Sequence, residues 1–325
     1  MFIITATLYS QNQDSLLEKI QNIDISLDEP ITGDEDLYMN TVSFQSFYDV
    51  LSPMGEWIQI TKEDIDDDLS DGDGEGISSF TSGLSEEEFL FIWKPSVETN
   101  WKPYVNGKWE YSDHGWLWVT SDKWGNSTYN YGRWWNSPKY GWVWLPGYTW
   151  APAWVKWKVT NDDKYVGWVA LSPKAKWNSD KGITEETYKF RNKDKDWIFV
   201  ENNSFGTDIT PGNIVKQDEN SSLVKNSISI TDLKTEDDRI VNKGPDVNRM
   251  EEKTGRKFQR KKLKFAKGNV NVVVGDNDIV IGKIKLDRHN GQKEQISKPH
   301  KFKKSDRVKG LIKRWKNRNH PPMKH

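Results

Sequence analysis

The chain has 325 residues, 18 tryptophans, no cysteine and a formal net charge of −1. Its length is sufficient for two domains, and the lack of cysteine excludes disulfides, thiolate metal sites and cysteine nucleophiles. The charge is unevenly distributed: residues 1–90 hold 2 Lys/Arg against 21 Asp/Glu, and residues 251–325 hold 23 against 7. We therefore expect the two ends to attract each other, and the basic end to suit anionic polymers or headgroups without selecting among them. The alternative is a solvated charged face that keeps the protein soluble.

The first ten residues form a short apolar run followed by polar residues. This run is too short to span a bilayer, and it is typical of the second half of a secretory signal that lacks the basic start. Two interpretations stay open for residues 1–10, a remnant signal peptide or an ordinary first strand. Residues 11–40 form an acidic N-terminal segment.

Residues 41–177 form the Trp-rich part of the chain, and they begin with a helical pattern. The spacing of Phe44, Phe47 and Leu51 predicts one short helix. Trp57 then starts a strand whose returning partner is Phe91-Ile92-Trp93. The intervening residues 62–88 are acidic and rich in Gly and Ser, so they are predicted to form a flexible loop.

A Gly-Trp step recurs every 26 residues, as Gly115-Trp116, Gly141-Trp142 and Gly167-Trp168. The first two of these steps follow a Gly-x-Trp step across a turn-rich stretch, which predicts a strand, a turn and a returning strand. Several such hairpins in succession predict an antiparallel meander that forms a small barrel or a sandwich. The expected fold class is therefore mainly β with a short helix.

Strand alternation gives the returning strands two apolar faces. One face carries Trp116, Trp118, Trp142, Trp144, Trp168 and Ala170, and the other carries Leu117, Val119, Val143, Leu145, Val169 and Leu171. The indoles either fill the core or form a platform that stacks on sugar rings or on other chains. The candidates for a binding edge lie next to Pro, Gly or turn residues, and they are Trp101, Trp124, Trp150 and Trp154.

Residues 178–286 are predicted to form a second, β-containing region, because tryptophan almost disappears there and polar residues increase. Residues 197–200 have a strand pattern. A short helix is expected over residues 246–254, with Gly255 as its C-terminal stop. Residues 270–286 read as two strands around a Gly-Asp-Asn-Asp turn.

The acidic loop contains alternating carboxylates at Asp71, Asp73 and Glu75, which resemble the opening of a calcium-binding loop. The twelfth position of such a loop is Ser82 instead of the bidentate Glu, and the pattern predicts no flanking helix. The alternative is a solvated acidic loop. No cofactor besides this Ca²⁺ candidate is predicted.

The basic tail comprises residues 287–325 and contains a short amphipathic pattern. Val308, Leu311, Ile312 and Trp315 have the spacing of one helical face, and lysines and arginines surround them. Such a helix suits an anionic membrane surface or the groove of a partner. Packing against the protein's own sheet, or pairing with the acidic loop, remains open as an alternative.

Several aromatic motifs resemble those of a known family. They are Trp93-Lys94-Pro95, residues 101–109, Tyr140-Gly141-Trp142-Val143-Trp144-Leu145-Pro146-Gly147, residues 150–154 and Tyr165-Val166-Gly167-Trp168. They are similar to the Trp-rich exported bacterial proteins with Y-x-W-G-x-W-type repeats, a domain of unknown function. The resemblance covers residues 47–177 and extends to residues 241–245 and 254–256. It implies export to the cell envelope and no known catalytic residues, whereas residues 62–88 depart from the family's pattern.

Catalysis is not expected, because only one of the five histidines, His114, lies in the Trp-rich segment and no catalytic motif accompanies it. We expect a non-enzymatic bacterial protein, exported to the periplasm, the outer membrane or the cell surface. Its expected role is that of a structural or protein-interaction component with an envelope protein as partner. The alternative is a polysaccharide- or peptidoglycan-binding module with exposed Trp side chains. An anionic membrane surface is a further candidate partner for the basic tail, whereas nucleic acid is not expected.

Overall fold

The computed structural model describes residues 43–69, 89–147, 149–173, 175, 177, 180, 182–183, 193–237, 239–267, 272–283, 303–310 and 313. The helices are α1 (Ser43–Leu51), α2 (Lys62–Leu69), α3 (Gly125–Thr128), α4 (Asn220–Lys225) and α5 (Val247–Thr254). Short 3₁₀ turns cover Ser52–Met54, Asp194–Asp196, Asn202–Ser204 and Gln217–Glu219. Within the described ranges, no helix has the length and the apolar character needed to cross a membrane.

The strands carry most of the fold. They are β1 (Gly55–Thr61), β2 (Phe89–Pro95), β3 (Gly107–Ser112), β4 (Gly115–Thr120), β5 (Arg133–Ser137), β6 (Gly141–Leu145), β7 (Val155–Thr160), β8 (Tyr165–Ala170), β9 (Ile198–Glu201), β10 (Ser227–Ser229), β11 (Leu233–Glu236), β12 (Arg239–Asn242), β13 (Lys262–Lys267), β14 (Val273–Val274), β15 (Asp278–Lys283) and β16 (Lys303–Lys304). Among the described residues they form sheets in the orders β16-β1-β2-β6-β5, β10-β7-β8-β9, β11-β12-β4-β3 and β13-β15-β14.

The mainly β fold class and the hairpins of the Trp-rich segment are confirmed. β1 pairs with β2, β3 with β4, β5 with β6 and β7 with β8, all antiparallel. These hairpins are distributed over three sheets instead of one continuous meander, and no closed barrel forms in the described part of the chain. The physical reason is that both faces of each hairpin are apolar, so each hairpin must be covered on two sides.

Each hairpin places two indoles opposite one another across its ladder. The pairs are Trp57 with Trp93, Trp109 with Trp118, Trp134 with Trp144, and Trp157 with Trp168. All eight side chains are at most 3% exposed, and they share one aromatic cluster. Pairs from different sheets meet there, since the rings of Trp109 and Trp157 have centroids 4.4 Å apart. The indole face of the repeat is therefore the central core.

The aliphatic face packs into separate, smaller clusters, as the alternation predicts. Leu117 packs with residues of β13 and β15, whereas Val143 and Leu145 pack with isoleucines of β1 and β2. Val169 packs against Trp197 and Phe199. Most residues on both faces of the predicted strands are thus buried, whereas Val119 and Trp142 are half-buried.

The repeated Gly-Trp glycine has different roles in different copies. Gly115 and Gly141 close hairpin turns with φ of +74°, a conformation that only glycine adopts without strain. Gly167 lies inside β8, where a Cβ atom would meet the ring of Phe199 at 2.4 Å. Gly115 and Gly141 are the first residues of β4 and β6, whereas β8 already begins at Tyr165, two residues before Gly167. The third Gly-Trp step therefore lies further along its strand than the first two.

The first part of the predicted acidic loop is helical, which corrects the prediction for residues 62–69. In α2, the Asp64 backbone N–H donates to Thr61 Oγ1, and the Thr61 backbone N–H donates to Asp64 Oδ2 at 2.9 Å. This reciprocal pair acts as a capping box, and Ile65 buries its side chain against β1. The signal was present in the sequence as Thr-x-x-Asp before an isoleucine. Residues 70–88 lie outside the described ranges.

Strands from residues 178–286 complete the sheets of the Trp-rich segment. β9 extends β8, β10 extends β7, and β12 pairs with β4 through Asn242 and Gly115. The sheets therefore cross the predicted boundary at residue 177. The strand expected at residues 197–200 forms as β9, which begins at Ile198, and β14 and β15 form the expected antiparallel pair. Helix α5 also forms, with Asp246 as its N-cap and Gly255 as a left-handed C-cap.

Candidate functional site

Adjacent Pro, Gly and turn residues predicted that the four indoles of the binding edge are exposed. The structure buries them more than this prediction implies. Trp154 is only 1% exposed, and its Nε1 donates to the backbone oxygen of Asn130 at 3.0 Å. The guanidinium of Arg133 covers its ring at 3.5 Å. This corrects the expectation of an exposed edge at Trp154, because an irregular segment next to prolines is here enclosed by other loops.

Two of the other candidates are half-buried parts of aromatic clusters. Trp124 contacts Trp93 and Trp101, with ring centroids 5.6 and 6.2 Å away. Trp150 contacts His114 and Phe265 at 5.5 and 5.0 Å. Both indoles therefore serve packing, whatever part of their rings reaches the surface.

Trp101 lines a cleft of about 440 Å³ beside the first sheet. The walls are the loop that follows β2, the turn between β5 and β6, and the 3₁₀ turn at Asp194–Asp196. Its aromatic residues are Trp101, Tyr140 and Trp142, all half-buried. Trp101 is held in place by Trp134 of the core, whose ring centroid is 5.4 Å away.

The polar part of the cleft is built from groups that are hydrogen-bonded to one another. Asn136 Nδ2 donates to Asp196 Oδ1 at 2.9 Å. Asp196 is 7% exposed, and burial raises the pKa of its carboxyl, against the opposing hydrogen bond from Asn136. Lys102 Nζ donates to the backbone oxygens of Lys195 and Trp197, and burial lowers its pKa.

Residues 75–175 match the model of a family of unknown function, DUF6600. The DUF6600 range ends just after β8 and includes Trp101, Asn136 and Trp142, whereas Asp196 lies outside it. The coarser part of the family prediction, a Trp-rich domain of unknown function, is confirmed, but the Y-x-W-G-x-W repeat is not. No curated protein and no solved structure matches the chain.

Sequence reasoning selected Trp101 but missed the rest of the cleft. The sequence predicts a turn-rich stretch at Asn136, which the structure places in β5, and Asp196 lies among polar residues beyond the DUF6600 range. The sequence pattern places Trp142 on the indole face and does not single it out as a binding residue, although it lies beside the turn at Gly141. A Cβ atom at Gly141 would meet nothing within 4 Å, which marks this end of β6 as open.

His114, within the DUF6600 range, lies in a turn as expected, but the turn is buried. The side chain is 6% exposed, and its Nδ1 is 2.9 Å from Asp113 Oδ1. Its ring meets Trp150 and Phe265 edge-on. Burial lowers the pKa of His114 below 6.5, although Asp113 opposes the shift.

We expect His114 to make the protein less stable in acid. Because the native state holds the imidazole neutral, stability is fully present above the unfolded pKa of about 6.5 and is lost as the pH falls below it. The free energy of unfolding, measured by urea titration, should therefore decrease more from pH 7 to pH 5 in the unsubstituted protein than in His114→Phe. An equal decrease in both proteins would contradict this role.

The basic tail returns to the first sheet at the edge of β1. β16 pairs with β1 in parallel, with Lys303 opposite Ile58 and Lys304 opposite Gln59. Ser305 Oγ donates to Asp64 Oδ2 at 2.6 Å and accepts from the backbone N–H of Val308. Val308 was predicted to bind a partner, which requires an exposed side chain. In the structure Val308 is fully buried, so this prediction is wrong for Val308. For Val308 the structure agrees with the alternative interpretation, packing against the protein's own sheet. The other predicted residues, Leu311, Ile312 and Trp315, lie outside the described ranges.

Ion pairs between the basic tail and the acidic first part of the chain confirm the predicted attraction at this edge. Lys303 Nζ is 3.2 Å from Glu56 Oε2, and Arg307 Nε is 3.7 Å from Asp64 Oδ1. These surface pairs are worth about 0–1 kcal/mol each. The attachment therefore depends more on buried Val308 and on the hydrogen bonds of Ser305.

The calcium candidate cannot be placed on the structure. Asp71, Asp73 and Glu75 lie outside the described ranges. Within the part of the chain that is described, no group of three or more His, Asp or Glu side chains is arranged to hold a metal ion.

Proposed function

We propose that this protein is a non-enzymatic, exported component of the bacterial cell envelope that acts as a structural or protein-interaction component. Its place of action in this proposal is the periplasm, the outer membrane or the cell surface. The observation that supports an interaction role best is the edge of β1, which takes up an extended basic segment by strand pairing. The proposed partner is an envelope protein that offers a segment of the same kind.

The edge of β1 has the properties of a strand-addition site. β1 is seven residues long, and its sequence, GEWIQIT, is rich in residues that favour strands. A sheet edge of this length pairs readily with another extended segment. Among the described residues, the chain's own segment pairs with Ile58 and Gln59 of this edge, and a partner strand that pairs with all seven residues of β1 would gain further backbone hydrogen bonds.

The aromatic core supplies a rigid base for such an edge. Trp57 of β1 pairs with Trp93 of β2, and both are buried in the central cluster. Trp93 Nε1 also donates to the backbone oxygen of Leu51 at 3.1 Å. An edge that is already ordered loses little conformational entropy when a partner binds.

Co-purification from native membranes tests the interaction role. Val308→Asp should release the tail from β1, because it places a charge in a fully buried position, and should increase the recovery of envelope proteins. Lys309→Asp is the matched control, since the Lys309 side chain is 62% exposed. Trp fluorescence should verify that both variants fold. Equal recovery with the two variants would exclude this edge as the docking surface.

Polysaccharide or peptidoglycan binding is a second candidate, but only in a restricted form. A broad indole platform lacks support because the paired indoles are buried in the core. The cleft beside Trp101 and Trp142 is the observation that favours a saccharide ligand.

For the basic tail, the composition of residues 287–325 supports an anionic membrane surface as a further proposed partner.

A further inference from the structure

We propose that the cleft beside Trp101 is a binding subsite for uncharged sugar rings of an oligosaccharide or polysaccharide. This inference deepens the second candidate function and is independent of the β1 edge. It rests on the size of the cleft, its half-buried aromatic rings, one buried carboxylate and the distribution of charge among its walls.

The size and rigidity of the cleft fit a small ligand. Its volume of about 440 Å³ lies within the range of roughly 300–1,000 Å³ that is usual for ligand pockets. Trp101 is fixed against Trp134 and Trp124, and Trp142 packs against the central cluster. The walls are therefore ordered before a ligand enters, which reduces the entropic cost of binding.

The side chains of the cleft match the two kinds of surface on a pyranose ring. Such a ring has an apolar face of C–H groups and a rim of hydroxyls. The half-buried indoles of Trp101 and Trp142 offer flat apolar surface for the C–H face. Asp196 Oδ1 accepts a hydrogen bond from Asn136 at 2.9 Å, which fixes the carboxylate in the wall of the cleft. A carboxylate accepts several hydrogen bonds, so this group is suited to a sugar hydroxyl as a further donor.

The charges of the cleft offer an anionic ligand no net attraction. Its lining carries three lysines, Lys94, Lys102 and Lys195, and two carboxyl groups, Glu98 and Asp196. The ammonium group of half-buried Lys102 is already bound by the backbone oxygens of Lys195 and Trp197, so it is not available to an anion. The two remaining lysines are balanced by the two carboxyl groups, which favours a neutral ligand.

Calorimetric titration of the full-length protein with neutral trisaccharides tests this subsite. The probes are N-acetylglucosamine trisaccharide, cellotriose and maltotriose, with trigalacturonate as the anionic comparison. We expect at least one neutral probe to bind and the anionic probe to bind more weakly. Trp142→Ala should reduce the affinity by about tenfold or more, as should Asp196→Asn, which keeps the shape of the side chain.

Two controls separate this subsite from general Trp effects and from the β1 edge. Trp177→Ala removes a half-buried indole outside the cleft, next to Trp154, and should leave the affinity unchanged. Val308→Asp should also bind the probe normally, so failure of the interaction role would leave this result intact. The inference is overturned if no neutral probe gives heat in the millimolar range, if trigalacturonate binds best, or if both cleft variants that fold bind as the native protein does.

Discussion

Gly115→Ala should destabilise the protein by about 1–3 kcal/mol more than Gly141→Ala. Both glycines have φ of +74°, so each substitution incurs the same backbone strain of about 1–2 kcal/mol. A Cβ atom at Gly115 would lie 2.0 Å from the backbone oxygen of Asn242, whereas one at Gly141 would meet nothing within 4 Å. The additional loss of unfolding free energy in Gly115→Ala therefore measures the close approach of the backbones at Gly115 and Asn242.

The contact at Gly115 joins two parts of the chain that are distant in sequence. Asn242 pairs with Gly115, and its backbone N–H donates to the oxygen of His114 at 3.0 Å. A displaced β12 would also move the fully buried Asn242 side chain. Urea unfolding followed by Trp fluorescence checks the prediction, and equal losses for the two alanine variants would contradict it.

Trp157→Phe should cost about 1–3 kcal/mol more than Trp109→Phe. The two indoles are neighbours in the core, and both are at most 1% exposed. Trp157 Nε1 donates to Asn242 Oδ1 at 2.8 Å, whereas Trp109 Nε1 has no hydrogen-bond partner among the described residues. Only the first substitution leaves a buried acceptor without its donor.

The paired comparison removes most of the effect of ring size, since each variant replaces an indole by a phenyl ring in the same cluster. Both should lose some packing energy through the cavity that remains. The unfolding free energies of the two variants and of the native protein give the difference directly. If Trp109→Phe proved to be the more damaging change, the hydrogen bond to Asn242 would not be the source of the stabilisation.

Local patterns predicted the hairpins but not how they assemble. The alternation of Trp and aliphatic residues identified two faces, and the structure buries both. Because both faces are apolar, the pattern could not indicate which neighbour covers which face. The pairing of Trp93 with Trp144 joins the first and third hairpins, and no local signal marks such a long-range choice.

The candidate site shows the same division between local and long-range information. Trp101 was selected for its surroundings of turn residues, and it does line the cleft. The same reasoning selected Trp154, which is buried because Arg133 and Asn130 enclose it. Asn136 and Asp196 are 60 residues apart, so their contact depends on tertiary packing.

The parallel pairing of β16 with β1 has a consequence for the order of folding. Ser305 and Asp64 are 241 residues apart, and contacts of such long range form slowly. The first sheet therefore gains β16 only after Lys303 and Lys304 have been synthesised. Until then the outer side of β1 lacks its last neighbour, and chains interrupted before residue 303 keep an open edge that favours aggregation.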